Sequence, residues 1–252
     1  MKKVALVTGA SAGFGRAICY QLIQQGYTVI GAARRREKLA KLQLELGKAF
    51  YPLALDITDK QAVEQILTAI PSELSAIEVL VNNAGLALGL ERFYQLDEQD
   101  IDTMIATNII GLTRLTRQIL PRMVERNRGY IINLGSIAGH YPYPGGNVYG
   151  ATKAYVQQFS LNLRADLAGT AIRVTNIEPG LCGETEFSVT RFHGDVQQAA
   201  AVYKDKQYLV PQDIANTVGW LVSLPPHMNV NRLEIMPVSQ SSQALQVVKV
   251  KS

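Results

Sequence analysis

Cysteine is scarce here: of 252 residues only Cys19 and Cys182 are cysteines, far apart, with no Cys-x-x-Cys pair and no Cys/His cluster. Neither a disulfide framework nor a zinc site is expected, and a reducing cytoplasm is the expected location. Histidine is nearly as sparse. His140, His193 and His227 are too scattered to form a metal site, so no metal is expected. Long apolar runs are missing as well: after Met1-Lys2-Lys3 only Val4-Ala5-Leu6-Val7 follows before Thr8-Gly9 interrupts. Spanning a bilayer takes about 18 consecutive apolar residues, so neither membrane insertion nor export is expected. No charge of one sign dominates, since 25 Lys and Arg against 21 Asp and Glu leave a formal +4. The basic residues are dispersed except for Arg34-Arg35-Arg36. Without interleaved aromatics or a basic stripe, that run reads as a small anion site, and nucleic acid is not an expected partner. The lone tryptophan, Trp220, reads with Leu221 and Val222 as core packing in a helix that begins near Pro211.

What is present is apolar material, 47% of residues against 18% charged, which suits a substantial core and not a disordered chain. Short apolar runs recur at residues 4–7, 28–32, 50–55, 79–82, 130–134, 172–177 and 233–237. They do not alternate in and out, as expected of parallel strands buried on both faces. Between them lie helical stretches: residues 15–25 end at Gly26, 35–46 end at Gly47, and 59–70 follow Thr58 and stop at Pro71. No repeat, low-complexity segment or linker divides the chain. The expectation is a single α/β domain over residues 1–252, doubly wound, with a seven-stranded parallel sheet and helices on both faces. Residues 181–208 are too polar and broken for a core element, and a loop that long reads as a lid or substrate-binding insertion.

The first strand runs into Thr8-Gly9-Ala10-Ser11-Ala12-Gly13-Phe14-Gly15 and then a helix. Gly9 allows a tight turn, Gly13 lets backbone approach a diphosphate, and Gly15 lets the helix pack closely on the strand, its N-terminus aimed at the anion. Strand, glycine turn and helix in this order suit a Rossmann dinucleotide site, although glycine turns after strands are common and the spacing is GxxxGxG. An NAD-preferring site carries an acidic residue at the end of the second strand. Arg34 and Arg35 stand there instead. A carboxylate would repel a 2′-phosphate, whereas paired guanidinium groups can bind it, so NADP(H) is the expected cofactor. The other reading is a solvated basic start to the second helix.

Tyr149 and Lys153 stand four apart in a helical segment continuing to Leu167, so they share a face. Tyrosine titrates near about 10, and an adjacent ammonium favours the phenolate, making Tyr149 a usable proton donor and acceptor. Taken alone, YxxxK is also what a solvated helix face produces by chance. Ser136 ends the fifth strand at the carboxyl edge, where ligands of open α/β sheets bind. Its hydroxyl and Tyr149 can meet over one substrate oxygen and stabilise the alkoxide character that develops as hydride moves. Asn108, between apolar residues on a long helix, is either part of this set or a satisfied structural asparagine.

With these residues in view, the chain resembles the short-chain dehydrogenases/reductases over essentially its whole length. TGxxxGxG is residues 8–15, Asp56 with Ile57 follows the third strand, NNAG is residues 82–85, and the catalytic set maps to Asn108, Ser136, Tyr149 and Lys153. The resemblance implies that Gly9, Ser11, Gly13, Phe14 and Gly15 cradle the cofactor and that Asp56 and Ile57 neighbour adenine. It places Asn83, Ala84 and Gly85 along the cofactor cleft and Pro179-Gly180 beside the nicotinamide carboxamide. It further implies that Lys153 holds the nicotinamide ribose and that Asn108 holds a water in a proton relay. Phe14 replaces the common Ile or Leu between the last two glycines, a change expected to alter packing and not chemistry.

Within that family the local text is most similar to the NADP-dependent 3-hydroxy acid dehydrogenases, which act on serine-like hydroxy acids and reduce malonic semialdehyde. That resemblance implies a homotetramer with the long helices starting near Asp100 and Asn147 buried between subunits. The expected substrate is a short hydroxy acid or the matching aldehyde, held by Ser136 and Tyr149. A carboxylate needs a cation near the cleft; Arg191 is the candidate, the other reading being a solvated loop arginine. A reductase of a 3-oxoacyl carrier protein or of bulky ketones is an alternative, as is a non-catalytic NADP sensor, which would be expected to have lost Tyr149 or Lys153. The tail at 239–252 is expected to frame the site, to join a subunit contact or to fray.

Overall fold

The computed structural model describes residues 3–241. Seven strands form one parallel sheet: β1 (Lys3–Thr8), β2 (Tyr27–Ala33), β3 (Phe50–Ala54), β4 (Ile77–Asn82), β5 (Gly129–Leu134), β6 (Ile172–Pro179) and β7 (Arg232–Ile235). The connections carry α1 (Gly13–Gln24), α2 (Arg36–Leu46), α3 (Lys60–Glu64), α4 (Ile66–Ala69), α5 (Glu98–Ile105), α6 (Leu112–Glu125), α7 (Asn147–Asp166), α8 (Phe187–Arg191), α9 (Val196–Ala201) and α10 (Pro211–Ser223). The strand order is β3-β2-β1-β4-β5-β6-β7. The winding direction therefore reverses between β1 and β4, and a crevice opens at their carboxyl ends, where such sheets bind ligands.

The pleat divides the strands' apolar residues between two cores. On one face Ile18 and Leu22 of α1, Leu39 and Leu42 of α2, and Val218 and Leu221 of α10 cover Ala5, Val7, Val29, Val81 and Ile132. On the other, Val63, Ile66, Leu115, Ile119, Met123 and Leu163 cover Val4, Leu6, Ile30, Leu80, Ile131 and Val174. β5 is buried at every residue. A strand covered on both sides has no solvent face to mark with polar residues, which is why its sequence reads as one apolar run. Each fully buried aliphatic side chain contributes about 1.5–3 kcal/mol, so both layers resist separation from the sheet.

Three expectations need correction. The helix expected over 59–70 is two pieces broken at Gln65, whose backbone leaves the helical region; Asp59 caps the first by accepting from Ala62 N. Ile70 is extended at φ −110°, ψ 150°, the conformation a following proline imposes. Trp220 does not pack in the core. It is 47% exposed while Leu221 is fully buried, because the 3.6-residue period aims Ile214, Val218 and Leu221 at the sheet and turns position 220 outward. Residues 181–208 are less broken than they read, carrying α8 and α9, the latter capped by Asp195. Among the described residues no helix is long and apolar enough to cross a membrane.

Candidate active site

The carboxyl ends of the strands border a cleft of about 1230 Å³. Its floor is the glycine turn. Gly9 (φ +68°) and Gly13 (φ +49°) occupy the left-handed region, and a Cβ on Gly15 would lie 2.2 Å from the Gly9 carbonyl oxygen. Only glycine permits this crossing of turn and helix. Among the described residues no side chain caps the start of α1, and no acidic residue stands in its first turn. Its free N–H groups therefore suit an anion, and the cradle fits a diphosphate. Thr8 Oγ1 accepts from the N–H groups of Asn83 and Ala84 at 3.0 and 2.9 Å, and Asn83 Nδ2 donates to Thr8 O at 2.8 Å. These bonds hold the loop after β4 against the cradle. Arg34, Arg35, Asp56, Ile57, Pro179 and Gly180 line the same cleft. Arg35 Nε and Nη2 donate to Ser11 Oγ at 3.2 and 3.0 Å, which fixes that guanidinium beside the turn.

Ser136 follows β5 and caps a short 3₁₀ turn, its Oγ accepting from Ala138 N at 3.1 Å. Tyr149 and Lys153 on α7 are both buried. Lys153 Nζ donates to Leu134 O at 2.7 Å and lies 5.8 Å from the centre of the Tyr149 ring. Burial lowers the lysine to about 8. Burial raises the Tyr149 phenol to about 12; the charge of Arg191 and a hydrogen bond with Ser136 oppose it. Arg191 is a second cation at the phenol, its Cζ 5.1 Å from the ring centre, while Lys153 directs its ammonium at a strand-end carbonyl.

Asn108 sits in a six-residue π turn, Ala106–Gly111, between α5 and α6. π turns concentrate at functional sites. Its Oδ1 accepts from Leu86 N at 2.9 Å, and its Nδ2 donates to Leu86 O at 2.8 Å and Thr152 Oγ1 at 3.0 Å. The side chain is therefore a clamp between the loop after β4 and α7.

Arg191 stands over the reacting group. Its Nη2 donates to the Tyr143 hydroxyl at 3.0 Å, and its Cζ lies 5.1 Å from the Phe187 ring centre. Its Nε is buried and has no hydrogen-bond partner among the described residues. An unpaired buried donor costs about 1–3 kcal/mol, which the Tyr143, Tyr149 and Phe187 rings around the guanidinium offset in part. The backbone is tied down too, Gly89 N donating to Arg191 O at 2.9 Å. Phe187 packs edge-on against Tyr149, ring centres 5.7 Å apart.

The sequence profile of the short chain dehydrogenases matches residues 3–195. The chain belongs to that family. A probable NADP-dependent dehydrogenase of Haemophilus influenzae is 60% identical over 247 residues, 98% of each chain. The NADP-dependent 3-hydroxy acid dehydrogenase YdfG of Escherichia coli strain K12 is 54% identical over 244 residues, 97% of this chain and 98% of that one. Among solved structures, the closed form of a serine dehydrogenase complexed with NADP+ superposes with a TM-score of 0.96 at 53% identity, covering 98% of this chain and 100% of that one.

In this short chain dehydrogenase most residues expected at the site line one cleft. Gly15 and Asn108 lie behind its wall, where they shape it. Sequence reasoning missed three of its lining residues, Tyr143, Glu186 and Phe187, and also Lys38, which pairs with Glu186. Of these only Tyr143 carried a local signal, the turn-rich Tyr141-Pro142-Tyr143-Pro144 before α7. The carboxylate of Glu186 pairs with Arg35 Nη1 at 2.6 Å and with Lys38 Nζ. The histidines stay apart from the cleft chemistry. His140 lies beside Glu178 and Glu234, where Arg232 Nε at 3.1 Å from Glu178 already supplies the cation; His193 pairs with Asp100 at 2.9 Å. The tail begins by framing the loop, Gln240 Oε1 accepting from Leu181 N at 2.7 Å. The rest of residues 239–252, beyond 241, lies outside the described residues.

Proposed function

We propose that this chain is an NADP(H)-dependent oxidoreductase acting on a short, serine-like 3-hydroxy acid or the matching semialdehyde, malonic semialdehyde among them. One observation carries the substrate class: Arg191 lines the cleft with its guanidinium Cζ 5.1 Å from the centre of the Tyr149 ring. A guanidinium so placed offers a second contact point for a substrate whose hydroxyl meets Tyr149, and a carboxylate fits it. The names of the relatives agree with that reading.

Bound in this cleft, the nicotinamide would supply the hydride acceptor for oxidation of the hydroxyl-bearing carbon and, in its reduced form, the donor for the reverse. The chain's own residues do the rest. Tyr149 removes the hydroxyl proton during oxidation and gives it back during reduction. Ser136 orients the same oxygen, and two donors on it stabilise developing alkoxide charge. Lys153 holds the nicotinamide ribose. Asn108 keeps the loop after β4 in place and anchors the relay water that the family resemblance implies. Gly9, Ser11, Gly13 and Phe14 would hold the diphosphate with Gly15 packed behind them, Arg34 and Arg35 would hold the 2′-phosphate, and Asp56 and Ile57 would border adenine. Asn83, Ala84 and Gly85 border the cofactor, and Pro179 and Gly180 contact the carboxamide. Residues 181–208 form the substrate loop. The exposed edges of Ile110 and Tyr155 suit the subunit faces of a cytoplasmic homotetramer, which light scattering on the purified protein measures.

The test is NADP⁺ reduction, followed by absorbance, against a panel of short hydroxy acids and neutral alcohols. Serine-like and 3-hydroxy acids should lead. If neutral alcohols or bulky ketones are preferred by kcat/KM, the substrate assignment fails while the enzyme class stands. No turnover with any of them would favour a non-catalytic NADP sensor.

A further inference from the structure

Glu186 belongs to the substrate loop, yet its carboxylate lies among the cations assigned to the cofactor. Its Oε2 is 2.6 Å from Arg35 Nη1, and its Oε1 pairs with Lys38 Nζ. The Arg35 guanidinium is thereby filled from two sides, by Ser11 Oγ on its Nε and Nη2 edge and by Glu186 on Nη1. The neighbouring Thr185 lies across the cradle, its Cγ2 3.3 Å from where a Cβ on Gly13 would sit. One residue on from Glu186, Phe187 packs on Tyr149; four further on, Arg191 faces the same ring. A single carboxylate thus joins the phosphate end of the cleft to the segment that covers the reacting end.

We propose that Glu186 is an internal stand-in for the cofactor's 2′-phosphate, latching the substrate loop to Arg35 and Lys38 until the phosphate displaces it, and that Lys38 is a further cation of that site. The inference rests on the reading that Arg35 holds the 2′-phosphate. Its physical basis is competition. A 2′-phosphate brings up to two negative charges to a guanidinium already paired with one carboxylate, and Glu186 and the phosphate would repel each other across it. The pairs are half exposed, with side chains 42–48% accessible. Exposed pairs are worth little each and are screened by salt, so a dianion can break this one. A cofactor without the 2′-phosphate has nothing to exchange for the carboxylate. Preference for NADP(H) then has two sources: the attraction of the cations, and the release of a loop that NAD(H) leaves latched.

Calorimetric binding of two fragments isolates the latch from catalysis: adenosine 2′,5′-bisphosphate, which carries the discriminating phosphate, and 5′-AMP, which does not. Glu186→Gln keeps the shape and removes the charge. Because the apparent affinity is the intrinsic one reduced by the unlatched fraction, this variant should bind the bisphosphate about three- to tenfold more tightly, with AMP unchanged. In the Glu186→Gln background, where no latch remains, Lys38→Met should weaken the bisphosphate by a similar factor, again sparing AMP. Both effects should shrink as salt is raised. Unchanged or weaker bisphosphate binding in Glu186→Gln overturns the stand-in, and unchanged binding when Lys38→Met is added to it removes that lysine from the site. Equal changes for both fragments would mark a structural disturbance and also overturn the proposal. Arg35→Met is the separate control. If it leaves the bisphosphate preference intact, the underlying assignment of Arg35 fails; if it abolishes the preference while Glu186→Gln has no effect, only the latch fails.

Discussion

Arg191→Met keeps an unbranched side chain in the substrate loop while deleting its charge, and it should act on two observables at once. The first is substrate binding. Losing a charge-assisted hydrogen bond to a carboxylate removes about 1.5–3 kcal/mol, so KM for a hydroxy acid should rise about tenfold or more. The second is the titration of Tyr149. Arg191 Cζ lies 5.1 Å from the ring centre and opposes the burial that raises the phenol to about 12. At such a separation two unit charges interact by about 0.8 kcal/mol in water and about 3 kcal/mol at a protein-like dielectric. At about 1.36 kcal/mol per unit, that spans about 0.6 to 2.4 pH units. The sign follows from the charge. A cation favours phenolate, so its removal raises the tyrosine further, and the alkaline rise in oxidation rate moves to higher pH. The assay is kcat/KM for oxidation of a neutral alcohol, profiled from about pH 6 to about pH 11, since a neutral substrate does not engage the guanidinium and reports the tyrosine alone. Superimposable profiles for variant and parent would refute the electrostatic role, and an equal rise in KM for acids and neutral alcohols would refute the carboxylate role.

Tyr149→Phe should keep the fold and NADPH affinity while lowering kcat by about 10² to 10⁴, measured by steady-state kinetics and cofactor fluorescence; retained turnover would assign the proton to another group. Lys153→Met should lose turnover and cofactor affinity without losing stability. The folded lysine sits at about 8, below its ordinary 10.5, so the unfolded chain binds more protons between those values. The buried ammonium therefore costs stability below about pH 8, by about 3 kcal/mol at most and offset by its bond to Leu134 O. That cost fades as pH rises toward about 10.5. Urea melts at pH 7 and pH 10 check it, and a variant clearly less stable at pH 7 counts against it. Gly15→Ala should abolish cofactor binding and lower Tm, because a Cβ there would lie 2.2 Å from the Gly9 carbonyl oxygen; an unperturbed Tm would show that the turn yields. Leu221→Ala should cost about 2–5 kcal/mol in urea melts and Trp220→Ala much less, since one is fully buried and the other 47% exposed. The reverse order would contradict the packing.

The strands were legible because burial on both faces removes the polar alternation, leaving seven apolar runs that need no tertiary information to find. The glycine turn was legible for a related reason: its constraint is steric and local, within Gly9 to Gly15. Tyr149 and Lys153 share a helix, so their spacing carried their proximity. Glu186 and Lys38 are different. They meet across a separation of 148 positions, and neither has a neighbour in the chain that hints at the other. The pairing of Arg191 with Tyr143 spans 48 positions and depends on how the loop after β6 returns over α7. Trp220 misled because hydrophobicity alone does not say which side of α10 a residue occupies; the phase set by Ile214, Val218 and Leu221 does. Asn108 was ambiguous in the sequence because the irregular turn that carries it leaves no mark in composition.

That irregular turn at Ala106–Gly111 works as a dislocation does in a crystal: one surplus residue, confined to a short stretch, with ordered lattice on either side. Because the surplus residue is taken up within the turn, its loss would let α5 and α6 join as regular helix with both flanks in phase. Leu115, Ile119 and Met123 would keep their places against the sheet. What would go is the bulge itself, and with it the backbone offset that holds Asn108 against Leu86 and Thr152. The core can spare this residue and the clamp cannot, so a deletion here should leave the fold standing and remove the activity.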